Sequence, residues 1–209
     1  IHEVMGRNCG WLTAATALEY RKRLNDIHFI PEINILKNKW DIHSLLLPEE
    51  DLCFEKECKR LNKVMDKYDC VNIFLSEAAG IDLIIKETEK AGKNILRDAF
   101  GHVRLEEINN GKWFAKRFGE RLNANKILIQ KSGYFSRSAK ANKQDIRLIF
   151  ELVDYAVRSA LKGKNGVIGW DQENNNKLSC IDFKRIRGGK PFDTSIDWYV
   201  EMTKEIQTI

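Results

Sequence analysis

The stretch CVNIFLSEAAG, residues 70–80, decides the fold. From Val71 to Leu75 it is apolar except for Asn72, with no regular alternation of polar and apolar positions. A strand with apolar side chains on both sides is one covered on both faces, as in a parallel sheet. The run stops at Ser76 and Glu77, turns through Ala78, Ala79 and Gly80, and enters a helical pattern over 81–91.

The same alternation of strand and helix extends in both directions. Residues 8–24 read as a helix rich in Ala and Leu that closes in basic residues. IHFI (27–30), stopped by Pro31, reads as a short buried strand. Residues 48–67 open in PEED, suited to a first turn, and carry Leu52, Cys58, Leu61 and Met65 at near-helical spacing. NNGKWFAKRFGERL (109–122) is a shorter helix, KILIQ (126–130) a strand, and 142–162 the longest helix. That helix has Ile146, Ile149, Leu152, Val153, Ala156 and Ala160 on one face. GVIGW (166–170) and KLSCIDF (177–183) form a closing strand pair, and 194–207 a terminal helix. The least ordered stretches are expected at 34–47 and 171–177. The pattern predicts an α/β protein with a largely parallel sheet and helices on both faces. In such sheets ligands bind beyond the carboxyl ends of the strands.

Composition narrows the function classes. At 43% hydrophobic and 31% charged residues the chain is neither disordered nor membrane-like, and its apolar runs are too short to span a bilayer. The opening IHEVMGRN lacks the apolar core of a signal peptide. A net charge of +5 is spread among mixed acids and bases with no aromatic–basic stripe, which disfavours nucleic acid as a partner. Five cysteines without C-x-x-C spacing and four scattered histidines exclude a disulfide framework or a zinc site, and fit a reducing cytoplasm. The 209 residues begin at Ile1 on sequence already rich in motifs, and read as the back part of a longer protein.

Three segments carry candidate binding groups. KSGYFSRSA (131–139) places Lys131, Gly133, Tyr134 and Arg137 just after a strand. Two cations beside a glycine and an aromatic hydroxyl suit an anion that must approach the backbone. An extended segment would point Tyr134 and Phe135 opposite ways, with Phe135 inward. EVMGRNCGW (3–11) sets Met5, Gly6 and Arg7 before a helix, whose free N-terminus favours an anion. The competing reading is a plain strand–helix turn. FLSEAAG (74–80) ends a strand in Glu77, either a ligand for sugar hydroxyls or an acid in a first helical turn. Glu32 after Pro31 reads as a boundary, and RIRGGKPF (185–192) as turn chemistry, since no G-x-x-x-x-G-K-[ST] loop is present. No Ser–His–Asp or Cys–His arrangement offers a general base.

Taken in order, EVMGRNCGW, FIPE, FLSEAAG and GYFSRSAKANKQD resemble the second half of a phosphofructokinase, over essentially the whole chain. The wording KSGYFSRSA and RIRGGKPFD, with the long insert after FIPE, is most similar to bacterial pyrophosphate-dependent fructose-6-phosphate 1-phosphotransferases. The resemblance implies a two-domain fold of Rossmann-like parallel sheets, with phosphoryl transfer in the cleft between them. It implies that Met5, Gly6, Arg7 and Glu77 bind fructose 6-phosphate and that Tyr134 and Arg137 hold its 6-phosphate, with Lys131 an added phosphate contact. Mg²⁺ is the implied cofactor, pyrophosphate the donor, and a cytoplasmic homodimer or homotetramer the implied assembly. Residues 1–130 would form the acceptor-binding domain, and 131–209 a return segment packing on a donor domain. The family's glycine-rich donor loop and Thr-Ile-Asp stretch are absent here, so the base is expected upstream of Ile1. The alternatives are an ATP-dependent 6-phosphofructokinase and a non-catalytic sugar-phosphate-binding module.

Overall fold

The computed structural model describes residues 1–6, 9–92, 95–96, 108–186 and 188–208. The chain forms two compact units, Ile1–Ser136 with Lys190–Ile209, and Arg137–Gly189.

The first unit is built on four strands, β1 (His2–Val4), β2 (Ser44–Leu46), β3 (Ile73–Ser76) and β4 (Gln130–Lys131), in the order β2-β3-β1-β4. Every neighbouring pair is parallel, with Leu45 opposite Phe74, and Glu3 opposite both Leu75 and Lys131. Its helices are α1 (Trp11–Asn25), α2 (Lys37–Trp40), α3 (Phe54–Tyr68), α4 (Ile81–Lys90) and α5 (Asn110–Arg121). The predicted α/β class with a parallel sheet is borne out.

Successive strand residues face opposite sides, and both sides are apolar. Leu45, Leu47 and Phe74 join Ala14 and Ala17 of α1 in one core cluster. Leu46, Ile73 and Leu75 join Cys58 and Leu61 of α3 and Phe114 and Phe118 of α5 in the other. Phe114, fully buried, stacks near Phe118 with centroids 5.7 Å apart; truncating such a ring costs about 3–5 kcal/mol. The last helix, numbered α8 here (Asp197–Thr208), returns to the first face through Tyr199, Met202 and Ile206, spaced by three and four as one stripe requires.

Several local expectations are corrected. IHFI forms no strand: Ile27 is exposed, Ile30 makes a single bridge to Ile35, and Pro31–Ile33 is a 3₁₀ turn. The strand lies later, at β2, inside the stretch expected to be least ordered. PEED is not a first helical turn, since α3 begins at Phe54. KILIQ is strand only at Gln130, and Leu128 is 70% exposed. KSGYFSRSA is not extended: α6 (Gly133–Ser138) is a short helix, in which neighbours lie about 100° apart. Phe135, expected inward, is exposed.

The second unit packs α7 (Lys143–Leu161) on the antiparallel pair β5 (Val167–Asp171) and β6 (Lys177–Ile181). The helix starts in a capping box: Asn142 Oδ1 accepts from the Gln144 and Asp145 amides, and Asp145 accepts from the Asn142 amide. Its expected buried face is split. Leu152 and Ala156 are partly covered, whereas Ile146, Ile149 and Val153 are exposed, because a two-stranded ribbon covers one side of a helix. Arg185 forks onto Asp171 at 2.6 and 2.7 Å, which makes the start of RIRGGKPF turn chemistry, as expected; Arg187 of that stretch lies outside the described residues. Asp171 is thereby held below the usual carboxylate range.

His43, fully buried, is a further consequence of the packing. Its Nε2–H donates to Asn38 O at 2.8 Å and its Nδ1 accepts from the Asn72 amide at 2.9 Å. Both ring nitrogens are satisfied only in the neutral form. Burial accordingly lowers its pKa, with Arg60 adding to the shift and the Asn38 bond and Asp41 opposing it. Between that lowered value and the ordinary 6.5 the unfolded chain binds a proton that the native one refuses. Stability is therefore complete above about pH 6.5 and falls below it. Thermal unfolding of the His43→Gln variant should lose less between pH 7 and pH 5.5 than the parent does, with His2, also lowered by burial, accounting for part of the remainder. An equal loss in both proteins would remove His43 from the account.

Candidate binding site at the carboxyl edge of the sheet

The carboxyl ends of β3, β1 and β4 lie side by side, so the topology brings Glu77, Met5, Gly6, Lys131 and Tyr134 to one edge of the sheet. Arg7 lies outside the described residues. Arg137 is exposed and opens the second unit.

Gly6 sits at φ +154°, and a Cβ there would lie 2.5 Å from Cys9 O and 3.1 Å from Ser76 Oγ. The turn after β1 is therefore one that a side chain would have to push apart. Ser76 Oγ, fully buried, donates to Gly6 O at 2.9 Å and ties the exits of β1 and β3 together. The start of α1 is already met by an acid. Glu49, from the turn after β2, accepts from the Gly10 amide at 2.9 and 3.1 Å and from the Phe192 amide at 2.8 Å. The anion expected at that helix end is thus the protein's own carboxylate. Its neighbour Glu50 accepts from Tyr199 OH at 2.7 Å; burial raises the Glu50 pKa, and burial with the Glu50 contact raises that of Tyr199.

Glu77 follows β3 directly. Its amide donates to Val4 O at 3.0 Å and its carbonyl accepts from Asn110 Nδ2 at 3.1 Å, so its backbone is fixed on both sides. Its side chain is half-buried, and the carboxylate has no hydrogen bond or ion pair among the described residues. An unpartnered acid at a strand end can accept from the hydroxyls of a polyol.

Lys131 points its ammonium at Glu3 Oε1 (3.1 Å) and Asn109 Oδ1 (3.2 Å). Glu3, 11% exposed in its side chain, also accepts from the Gly111 amide at 2.9 Å. Tyr134 is 86% exposed on α6. Sequence reading missed Glu3, Glu49, Asn109 and Asn110. The available signal was a glutamate in the middle of β1, a position where a charge needs a partner.

No family model matches the chain. It is similar to the pyrophosphate–fructose 6-phosphate 1-phosphotransferase of Methylotuvimicrobium alcaliphilum, with 52% identity over 97% of this chain and 49% of the relative. The protein of the same name from Propionibacterium freudenreichii is 50% identical over 99% of this chain and 51% of the relative. That of Mastigamoeba balamuthi is 48% identical over 99% and 50%. The chain spans about half the length of the curated relatives it matches. Among solved structures, the pyrophosphate-dependent phosphofructokinase of Nitrosospira multiformis superposes with a TM-score of 0.56 over 98% of this chain and 46% of that one, at 18% identity. The resemblance to the phosphofructokinases, and within them to the pyrophosphate-dependent members, is borne out.

The geometry at Gly6 is directly testable. Gly6→Ala should cost about 1–3 kcal/mol in denaturant unfolding, since it combines a disfavoured φ with a backbone collision. Gly169→Ala, where an added Cβ meets Ile181 at an ordinary 3.8 Å, should stay within about 0.5 kcal/mol. An unchanged midpoint for Gly6→Ala would show that the turn yields freely.

Proposed function

We propose that the full-length protein moves a phosphoryl group reversibly from pyrophosphate to the 1-hydroxyl of fructose 6-phosphate, and that this chain supplies the acceptor-binding part. The observation that carries the reading is the 48–52% identity to phosphotransferases of that name along nearly the whole chain. The Glu77 carboxylate at the ligand edge of the sheet, without a partner among the described residues, supports it independently.

In this reading Glu77 accepts hydrogen bonds from the sugar hydroxyls. Met5 and Gly6 let the sugar approach the backbone beside Arg7. Arg137 and Arg7 offer guanidinium forks to phosphate oxygens, Lys131 adds a point charge, and Tyr134 donates a hydrogen bond from its hydroxyl. The sugar's 1-hydroxyl oxygen bonds to one phosphorus of pyrophosphate, the bridging P–O bond breaks, and orthophosphate leaves. The hydroxyl proton passes to a base, which we place in the part of the relatives' length that this chain does not span. Among the described residues no three His, Cys, Asp or Glu side chains gather as metal ligands. A magnesium ion would offset the donor's charge with the help of substrate phosphates, and the roles above are those of the chain's own side chains.

In this reading residues 1–130 form the acceptor-binding domain and 131–209 the return segment; the compact units themselves divide at Arg137 and return Lys190–Ile209 to the first unit. Ile146, Ile149, Phe150, Val153 and Val157 make an exposed stripe at helical spacing, which we assign to packing against the donor domain. The same reading makes the enzyme a cytoplasmic homo-oligomer; no helix among the described residues is long and apolar enough to cross a membrane.

At saturating fructose 6-phosphate the full-length protein should turn over pyrophosphate much faster than ATP. A clear ATP preference would reassign the donor. Arg137→Ala should raise the apparent KM for fructose 6-phosphate at least about tenfold, since leaving a bound charge without its partner costs about 2–5 kcal/mol. The donor KM should hardly change, and Arg137→Lys should rescue only in part. Normal sugar-phosphate binding by the alanine variant would make Arg137 structural.

A further inference from the structure

Asn110 is the first residue of α5 and is 3% exposed. Its Nδ2 donates to three carbonyls of a single turn, those of Ser76 (3.3 Å), Glu77 (3.1 Å) and Ala79 (2.9 Å). Carbonyls accept and do not donate, so the NH₂ group must be the one facing them. The other amide atom, Oδ1, is then buried with no partner among the described residues. Such an orphan is costly, and a more ordinary residue at this place would avoid it.

The turn so gripped is the one that presents Glu77. It is held from the opposite side as well, by the Glu77 amide on Val4 O and by Ser76 Oγ on Gly6 O. Within it the Ala79 amide donates to Ser76 O at 2.9 Å. The peptide groups around Glu77 are thus fixed by their neighbours, while its carboxylate is left unpaired among the described residues. The residues flanking Asn110 extend the brace: Asn109 Oδ1 receives Lys131, and the Gly111 amide donates to Glu3.

We propose that Asn110 is a positioning residue that aims the Glu77 carboxylate at the sugar acceptor without touching it. This rests on the assignment of Glu77 as a ligand of fructose 6-phosphate. The test is a double-mutant cycle in the full-length enzyme with fructose 6-phosphate and pyrophosphate as substrates. Glu77→Ala should raise the KM for fructose 6-phosphate at least about tenfold. Asn110→Ala should raise it roughly three- to tenfold and leave the KM for pyrophosphate unchanged. The double variant should be no worse than Glu77→Ala alone, because Asn110 then has nothing left to aim. Asn110→Asp, which turns a carboxylate toward three carbonyls, should exceed Asn110→Ala. If Asn110→Ala does not fold, the cycle is run with Asn110→Ser, and the same non-additivity is expected. A normal sugar KM for the Asn110 variant beside a raised one for Glu77→Ala overturns this inference alone. Effects that multiply in the double variant overturn it too, since Asn110 would then act elsewhere. A normal sugar KM for Glu77→Ala overturns the assignment of Glu77 and this inference with it.

Discussion

Glu3 is a carboxylate in the middle of a three-residue strand, and the ligand edge depends on how it is satisfied. A buried charge without partners would cost several kcal/mol or be driven neutral. Here one oxygen meets the Lys131 ammonium and the other the Gly111 amide. Those two contacts join β1 to β4 and to the start of α5, three elements separated by more than a hundred residues of chain at the extremes. The apolar clusters on the two faces of the sheet hold the layers together but say little about the strand ends. At that edge, polar pairing sets positions: Glu3 with Lys131, Ser76 with Gly6, Asn110 with the turn after β3.

How much of this was legible follows from which signals are local. The 70–80 stretch read correctly because a strand covered on both faces writes its burial into every residue. IHFI has the same local signature, an apolar run stopped by proline, yet it lies exposed; only the absence of a neighbouring strand separates the two cases. The strand Ser44–Leu46 is too short to show a period, although Leu45–Leu47 ahead of Pro48 was a faint sign of it. GYFSRS has no apolar face for a helix, so its helical turn was invisible. The 142–162 helix shows its apolar positions in the sequence, but no pattern within a helix says which of them a neighbour covers.

The site divides the same way. Glu77 and the cations stood out because their chemistry has no use in a core. Asn109 and Asn110 did not, since asparagine near a helix start is ordinary capping chemistry. Asn110 instead uses its side chain on a turn some thirty residues earlier. Glu49 looked like a first-turn acid of the helix that follows it, and serves the start of α1 instead, 39 residues back. In both cases residue type was a fair guide to the kind of bond and no guide to the partner.

By residue type Lys131 belongs with Arg137 and Arg7 as a cation for the sugar's phosphate. Its ammonium lies 3.1 Å from Glu3, so an approaching dianion meets a pair whose charges largely cancel. The pair can still donate a hydrogen bond, since Lys131 is about half exposed, but it attracts less at a distance than a lone cation. Tyr134 contributes a hydroxyl donor. On the proposed reading the long-range pull on fructose 6-phosphate therefore falls to the two arginines. A guanidinium group matches phosphate geometry as a fork. Lys131 is left to hold the exits of β1 and β4 in place for them.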